Sequence, residues 1–240
     1  MEVKNCPFCD GEARLKYRYT HGTWCVECMQ CGVNTKQYPS KEKAALAWNK
    51  RITPVDIRNK VVLFVDLDGT LAHWIPETTP EELIAPGYFR NLPAYTNMID
   101  NVNYLIDAGF EVYTLSAWMP TLGNPVQEKN DWLTEHLPIV RQNHRLFCPC
   151  DKSKWQLARQ YAKADKILVL IDDYSKNLHQ WIEDGKGRGI GIKVLNGING
   201  KKGSWKDFTI SIDCKPKELE RMLERCINRI QEENKSMTHN

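Results

Sequence analysis

Asp66 and Asp68 close an apolar run, Val61-Val62-Leu63-Phe64-Val65, and Gly69 and Thr70 follow them. An extended chain sends residues i and i+2 to the same side, so both carboxylates can face one small volume beyond the strand. Gly69 lets the backbone turn away there. Such a pair suits covalent phosphoryl transfer. One carboxylate attacks phosphorus to give an aspartyl phosphate, while the other protonates the leaving alkoxide and later deprotonates the water that releases phosphate. An ordinary Asp/Gly turn is the plain alternative, and three later segments count against it.

In the first of these, EVYTLSAW, Val112 to Leu115 read as a second buried strand and Ser116 stands at its end, where a hydroxyl can hydrogen-bond a phosphoryl oxygen. In the second, RLFCPC reads as a short strand ending at Asp151-Lys152-Ser153-Lys154, ahead of a helix through WQLARQYAK. A lysine here would neutralise the phosphoryl group and hold the nucleophile ionised. Lys152 and Lys154 both qualify. In the third, KILVLIDDY, an apolar run again delivers a carboxylate pair, Asp172 and Asp173. Asp172, Asp66 and the backbone carbonyl of Asp68 would supply the oxygen ligands that Mg²⁺ demands. Asp173 stands either beside that set or as the lead-in to a helix from Ser175 to Asp184.

DLDGT, Ser116, the lysine and IDD, in that order, resemble the four signatures of the haloacid dehalogenase superfamily. The resemblance implies a nucleophile at Asp66, a general acid/base at Asp68, and a HAD-like, doubly wound parallel α/β sheet with a small lid. The dehalogenase branch lacks the second aspartate, so Asp68 points to phosphate chemistry. Within the expected lid, about residues 72–94, PGYFRNLP resembles the 5′(3′)-deoxyribonucleotidase branch, as does QEKNDWLTEHLP further on. That branch implies a nucleotide substrate, with Thr70, Trp74, Phe89, Ala117 and Trp118 around it. Trp74, Tyr88 and Phe89 could stack on a base, each contributing about 1 to 3 kcal/mol, the alternative being that they only pack the lid. The DKS wording favours Lys152, whereas a lysine directly before a helix favours Lys154; the reading leans to Lys152.

Cys6-Pro7-Phe8-Cys9 and Cys28-Met29-Gln30-Cys31-Gly32 have the spacing of a four-cysteine Zn²⁺ site. Cys25 makes a competing CxxC with Cys28, but Gly32 stands where a zinc knuckle wants it, which leaves Cys25 and His21 as lesser ligands. ARLKYRYTHGTWCVE alternates like a hairpin turning at His21-Gly22, and Ser40 can cap a helix through KEKAALAWNKR. CPFCDGEA, CMQCG and EKAALAWNKR together resemble the restriction-alleviation (Lar-like) zinc ribbons, with Asp10 standing where a glycine is expected. That resemblance implies a small phage or bacterial module that touches a partner. Arg14, Lys16 and Arg18, with Tyr17 and Tyr19 between, could follow a nucleic-acid backbone; a protein partner is the other expectation.

These residues need two platforms. A zinc ribbon is expected over 1–51, a linker over 52–60, the phosphatase domain over 61–214, and a C-terminal helix and tail over 215–240. With 42% apolar residues, the 240-residue chain can bury one good core beside a small appendage. Gly185–Gly203 contains neither a P-loop lysine nor a strand ahead of its glycines, so it reads as a strand, IGIKVL, followed by turns. No run is long enough to cross a bilayer and MEVKNCPFCD lacks a signal peptide's apolar core, so a cytoplasmic location is expected, the host cytoplasm if phage-encoded. The net charge of +3 resides in residues 1–50, with eight Lys/Arg against five Asp/Glu, and four zinc-bound thiolates would cancel most of it. Charge alone therefore argues little for nucleic-acid binding.

Overall fold

The computed structural model describes residues 2–49, 57–120, 123–199 and 203–237. It divides into two compact units, Met1–Thr53 and Pro54–Asn240. Most of the expected linker, residues 52–56, lies outside the described residues, as does the end of the tail, 238–240.

In the first unit, β1 (Ala13–Arg18) and β2 (Thr23–Cys28) form an antiparallel hairpin in which Ala13 faces Cys28 and Arg18 faces Thr23. Gly22 takes the positive φ that the tight connection requires. Ser40 accepts a hydrogen bond from the Lys43 N–H at the start of α1 (Lys41–Asn49). This helix packs Ala44 and Trp48 on Ala13, Val26 and two cysteines. Asp10 adopts φ 57°, a left-handed conformation that explains the glycine expected there.

The second unit is built on six parallel strands: β3 (Val61–Val65), β4 (Glu111–Trp118), β5 (Arg145–Pro149), β6 (Ile167–Asp172), β7 (Gly189–Leu195) and β8 (Thr209–Ser211). Their order in the sheet is β5-β4-β3-β6-β7-β8. The strands are near-continuous Val/Ile/Leu runs because helices cover both faces of the sheet. Alternate residues Val62 and Phe64, Tyr113 and Leu115, Leu168 and Leu170 point to one face and pack on Trp155, Leu178 and Trp181. The chain winds outward in both directions from β3, so the crevice beyond β3, β4 and β6 is the topological switch point where ligands bind in such sheets.

The connections are a short lid helix α2 (Pro80–Leu83), then α3 (Thr96–Asp107), α4 (Pro125–His136), α5 (Lys154–Ala158), α6 (Ser175–Gly185) and α7 (Pro216–Met237). One expectation needs correction. The helix through WQLARQYAK stops at Ala158, because Gln160 and Tyr161 bond back only three residues, to Leu157 and Ala158. Beyond β7, strand forms only over Thr209–Ser211, and the Trp205 indole turns into the core and donates to the Phe208 carbonyl (2.9 Å). Among the described residues no helix is long and apolar enough to cross a membrane.

Candidate active site

β3 delivers Asp66, and the turn after it delivers Asp68. Gly69 has φ 81°, and a Cβ on it would lie 2.4 Å from an Asp173 oxygen, so only glycine lets this turn pass over the end of β6. β6 ends at Asp172, which is fully buried. Its Oδ1 accepts from the Tyr174 N–H (2.8 Å), and its Oδ2 accepts from Asn177 Nδ2 (2.9 Å).

Lys154 bridges the two strands. Its Nζ donates to Asp66 Oδ1 (2.7 Å) and to Asp172 Oδ2 (2.8 Å). Ser153 fixes the lysine at the helix start, its Oγ accepting from the Gln156 N–H (3.3 Å) and donating to Asp184. Against the cost of burial, the charges of Asp172 and Asp66 hold the Lys154 ammonium above its usual pKa. Lys152 points elsewhere: its side chain is 68% exposed and pairs with Asp151 at 3.3 Å. Of the two candidates, the structure brings Lys154 and not Lys152 to the aspartates. The chain enters α5 at Lys154, so that residue, one step inside the cap, is the one whose side chain returns over the strand ends.

Burial, reinforced by the charge of Asp172, pushes Asp66 well above the usual carboxylate range, with Lys154 pulling the other way. Asp173 is pushed up to about 7 by burial and then by Asp172, although Asn196 lowers it. Asp66, Asp172 and Asp173 each place an oxygen within 4.8 Å of the others. Three buried carboxylates have one directly bonded ammonium among them, Lys154, and hard oxygen donors are the set that Mg²⁺ prefers, so these residues fit that ion. The Asp68 carboxylate stands outside the set. Thr70 is fully buried nearby in the chain, with a hydroxyl that has no partner among the described residues.

Asp68 belongs to a second group that the sequence reading did not foresee. Lys129 of α4 is 1% exposed, and its Nζ donates to Asp68 Oδ2 (2.5 Å), Ser116 Oγ (3.0 Å) and the Ala117 carbonyl (2.5 Å). It also lies 4.6 Å from the centre of the Phe89 ring. Asp68 Oδ1 is buried without a partner among the described residues. The preceding residue, Glu128, accepts from the lid N–H groups of Gly87 (2.7 Å) and Phe89 (3.0 Å). One turn of α4 therefore holds both the lid and the acid. Trp74 and Trp118 are partly exposed, and Tyr88 packs edge-on against Phe89 with its hydroxyl on Thr78 (2.9 Å).

Three further supports were also missed. Asn196 donates to the Gly69 carbonyl (2.7 Å) and to Asp173 Oδ2 (3.0 Å), and Asn199 donates to the same oxygen. Lys193 of β7 is buried behind the acids and donates to Ser175 Oγ (2.7 Å). QEKND offers no sign of this, since a helical Glu-Lys normally faces solvent. NGING carries a turn signal that hides its amide contacts.

In the other unit, the sulfurs of Cys6, Cys9, Cys28 and Cys31 all lie within 4.8 Å of one another. Zn–S bonds of about 2.3 Å in a tetrahedron put sulfurs about 3.8 Å apart, so the four thiols fit zinc. The N–H groups of Cys31 and Gln30 point at Cys28 Sγ (3.4 Å each). With the Cys31 N–H as the largest influence, they bring that thiol down to about 6 against its burial, favouring the thiolate that zinc binds. Cys25 is buried in β2, outside this set. Arg14 pairs with Glu12 (2.8 Å), and Lys16 and Arg18 both pair with Glu27 (3.0 and 3.1 Å), so β1 presents ion pairs rather than a row of unmatched cations.

Residues 76–207 match the family model described as 5′ nucleotidase, deoxy (Pyrimidine), cytosolic type C protein. Residues 1–52 match that of restriction alleviation protein Lar. The first match begins after Asp66 and Asp68. Similar solved structures include a class C acid phosphatase from Bacillus anthracis with tungstate bound (16% identity, 59% of this chain and 68% of that one, TM-score 0.40). Another is a D,D-heptose 1,7-bisphosphate phosphatase from Burkholderia thailandensis (15% identity, 71% and 99%, TM-score 0.41). No curated protein matches the chain.

Proposed function

Because the chain belongs to the family of 5′ nucleotidase, deoxy (Pyrimidine), cytosolic type C proteins, and is a phosphoric monoester hydrolase, we propose that it hydrolyses a nucleotide phosphate through an aspartyl phosphate on Asp66. The observation that carries this reading is the Lys154 bridge from Asp66 to Asp172 beside the Asp68–Lys129–Ser116 group.

Asp66 attacks phosphorus as the bond to the nucleoside oxygen breaks, and that oxygen takes a proton at Asp68, whose unpartnered Oδ1 is the atom available for the transfer. Ser116 Oγ and the Lys154 ammonium face charge that develops on the phosphoryl oxygens. In the second half, Asp68 takes a proton from the attacking water and the Asp66–phosphorus bond breaks, releasing phosphate. Asp66, Asp172 and Asp173 are the residues that would hold Mg²⁺, which when bound would supply positive charge to keep Asp66 ionised and to neutralise the phosphoryl group. Of the lid aromatics, Phe89 is buried against Lys129, which leaves the partly exposed Trp74 and Tyr88 as the surfaces open to the base.

Turnover of p-nitrophenyl phosphate and of a panel of nucleoside monophosphates, with and without Mg²⁺, tests the reading. Asp66→Asn is expected to abolish turnover. Activity surviving that substitution removes the nucleophile, and turnover of the generic ester with no nucleotide accepted removes the substrate class.

A further inference from the structure

A cavity of about 320 Å³ opens between the ends of β4 and β5 and the starts of α5 and α6. It is of the size that holds small ligands, roughly 300 to 1,000 Å³. One wall is shared with the phosphoryl site, because Lys154 and Asn177 line the cavity and both also hold Asp172. Trp155 and Trp181 form an apolar floor, and Lys152 and Lys176, both exposed, stand on the rim. The lining contains three lysines and no carboxylate. The lid groove has the opposite character: its cavity of about 460 Å³ is lined by Glu77 and Glu82 and by no cation. A second anionic group on the substrate would be repelled from the lid and drawn to the lysine side.

We propose that this lysine-rimmed cavity holds a second phosphate of the substrate, so that the preferred nucleotide carries one phosphate at the bond to be cut and another, ester-linked, elsewhere on the same nucleotide. The inference rests on the proposed nucleotidase reading and adds the substrate class. Lys154 is spent on Asp66 and Asp172, which leaves Lys176, and Lys152 by exchange of its exposed pair with Asp151, as the groups that meet the added charge. Lys152 thus acquires a place beside the site rather than at the reacting phosphorus. The second phosphate can come from a free nucleoside bisphosphate or from the phosphodiester next to a strand end.

The test compares kcat/KM for a nucleoside 5′-monophosphate, the matching 3′,5′-bisphosphate and a dinucleotide with one terminal phosphate. Preference for either doubly charged substrate of at least about tenfold is expected, the size of one charge-assisted contact. The gain should lie in KM, weaken with added salt, and fall toward parity in Lys152→Gln/Lys176→Gln while persisting in Lys176→Arg. Preference for the bisphosphate alone assigns a free nucleotide, and preference shared by the dinucleotide assigns a strand end. Equal or better use of the monophosphate overturns the inference, as does a preference that survives the double substitution. Calorimetric titration of Asp66→Asn with the same three compounds reads the same ratio as affinities. If nothing is turned over but the affinity ratio holds, the hydrolase reading fails and the second-phosphate site stands.

Discussion

Lys129 gives the Asp68–Ser116 group, the proposed acid/base, its shape. A lysine with a single percent of its surface exposed is tolerated in a core only when its charge is matched, and here one carboxylate, one hydroxyl and one carbonyl match it. Replacing it by methionine keeps most of the volume but leaves Asp68 and Ser116 without their shared donor. Lys129→Met is expected to lower kcat by at least about 10²-fold, the lower end of what a general acid/base contributes. Circular dichroism should show the fold retained; unchanged kcat with a lower melting temperature would make Lys129 a packing residue only. The paired lysines after β5 separate in the same way. Lys154→Met should abolish measurable turnover of a nucleoside monophosphate, whereas Lys152→Met should change it by only a few-fold, since an exposed pair with Asp151 contributes little.

Among the elements, the turn after β3 and the first turn of α4 set the dimensions of the site. Gly69→Ala would place a methyl 2.4 Å from Asp173 Oδ2 at a positive φ. The strain is expected to cost about 1 to 3 kcal/mol and to displace an acid of the proposed ion set. The readouts are a lower melting temperature and a higher Mg²⁺ concentration for half-maximal activity, and an unchanged Mg²⁺ requirement would dissociate that turn from the ion. Glu128 fixes the lid through two N–H groups. Glu128→Ala should raise KM more than it lowers kcat and speed proteolysis within residues 72–94. The strands with aspartates at their ends were legible in the sequence, because buried parallel strands announce themselves as apolar runs and Asp66, Asp68 and Asp172 interrupt those runs at fixed places. Lys129 was not legible. Its partner Asp68 lies 61 residues away, and nothing local distinguishes a lysine that turns inward from one that turns to solvent. Asn196, Asn199 and Lys193 were hidden for the same reason. The choice between Lys152 and Lys154 depended on where α5 begins, and a boundary of one or two residues is what pattern reading resolves least.

For the molecule as a whole, the two units have different sources of stability. The unit over Pro54–Asn240 has a sheet buried on both faces, including Trp132, Trp181 and Phe64, and needs no metal to justify its core. The unit over Met1–Thr53 has one hairpin, one short helix and a small cluster around Val26 and Trp48, too little apolar surface to offset the ordering of about fifty residues. Four thiols gathered within 4.8 Å are the proposed staple, and zinc bound there would contribute folding free energy directly. Chelation followed by restoration of Mg²⁺ alone should therefore leave phosphatase activity intact while residues 2–49 lose amide protection in hydrogen exchange, and restoring Zn²⁺ should return it. Cys6→Ser should have the same local effect without chelator, because three thiolates no longer close the tetrahedron. If protection over residues 2–49 persists after the metal is gone, the first unit stands on packing alone and the four cysteines need another explanation.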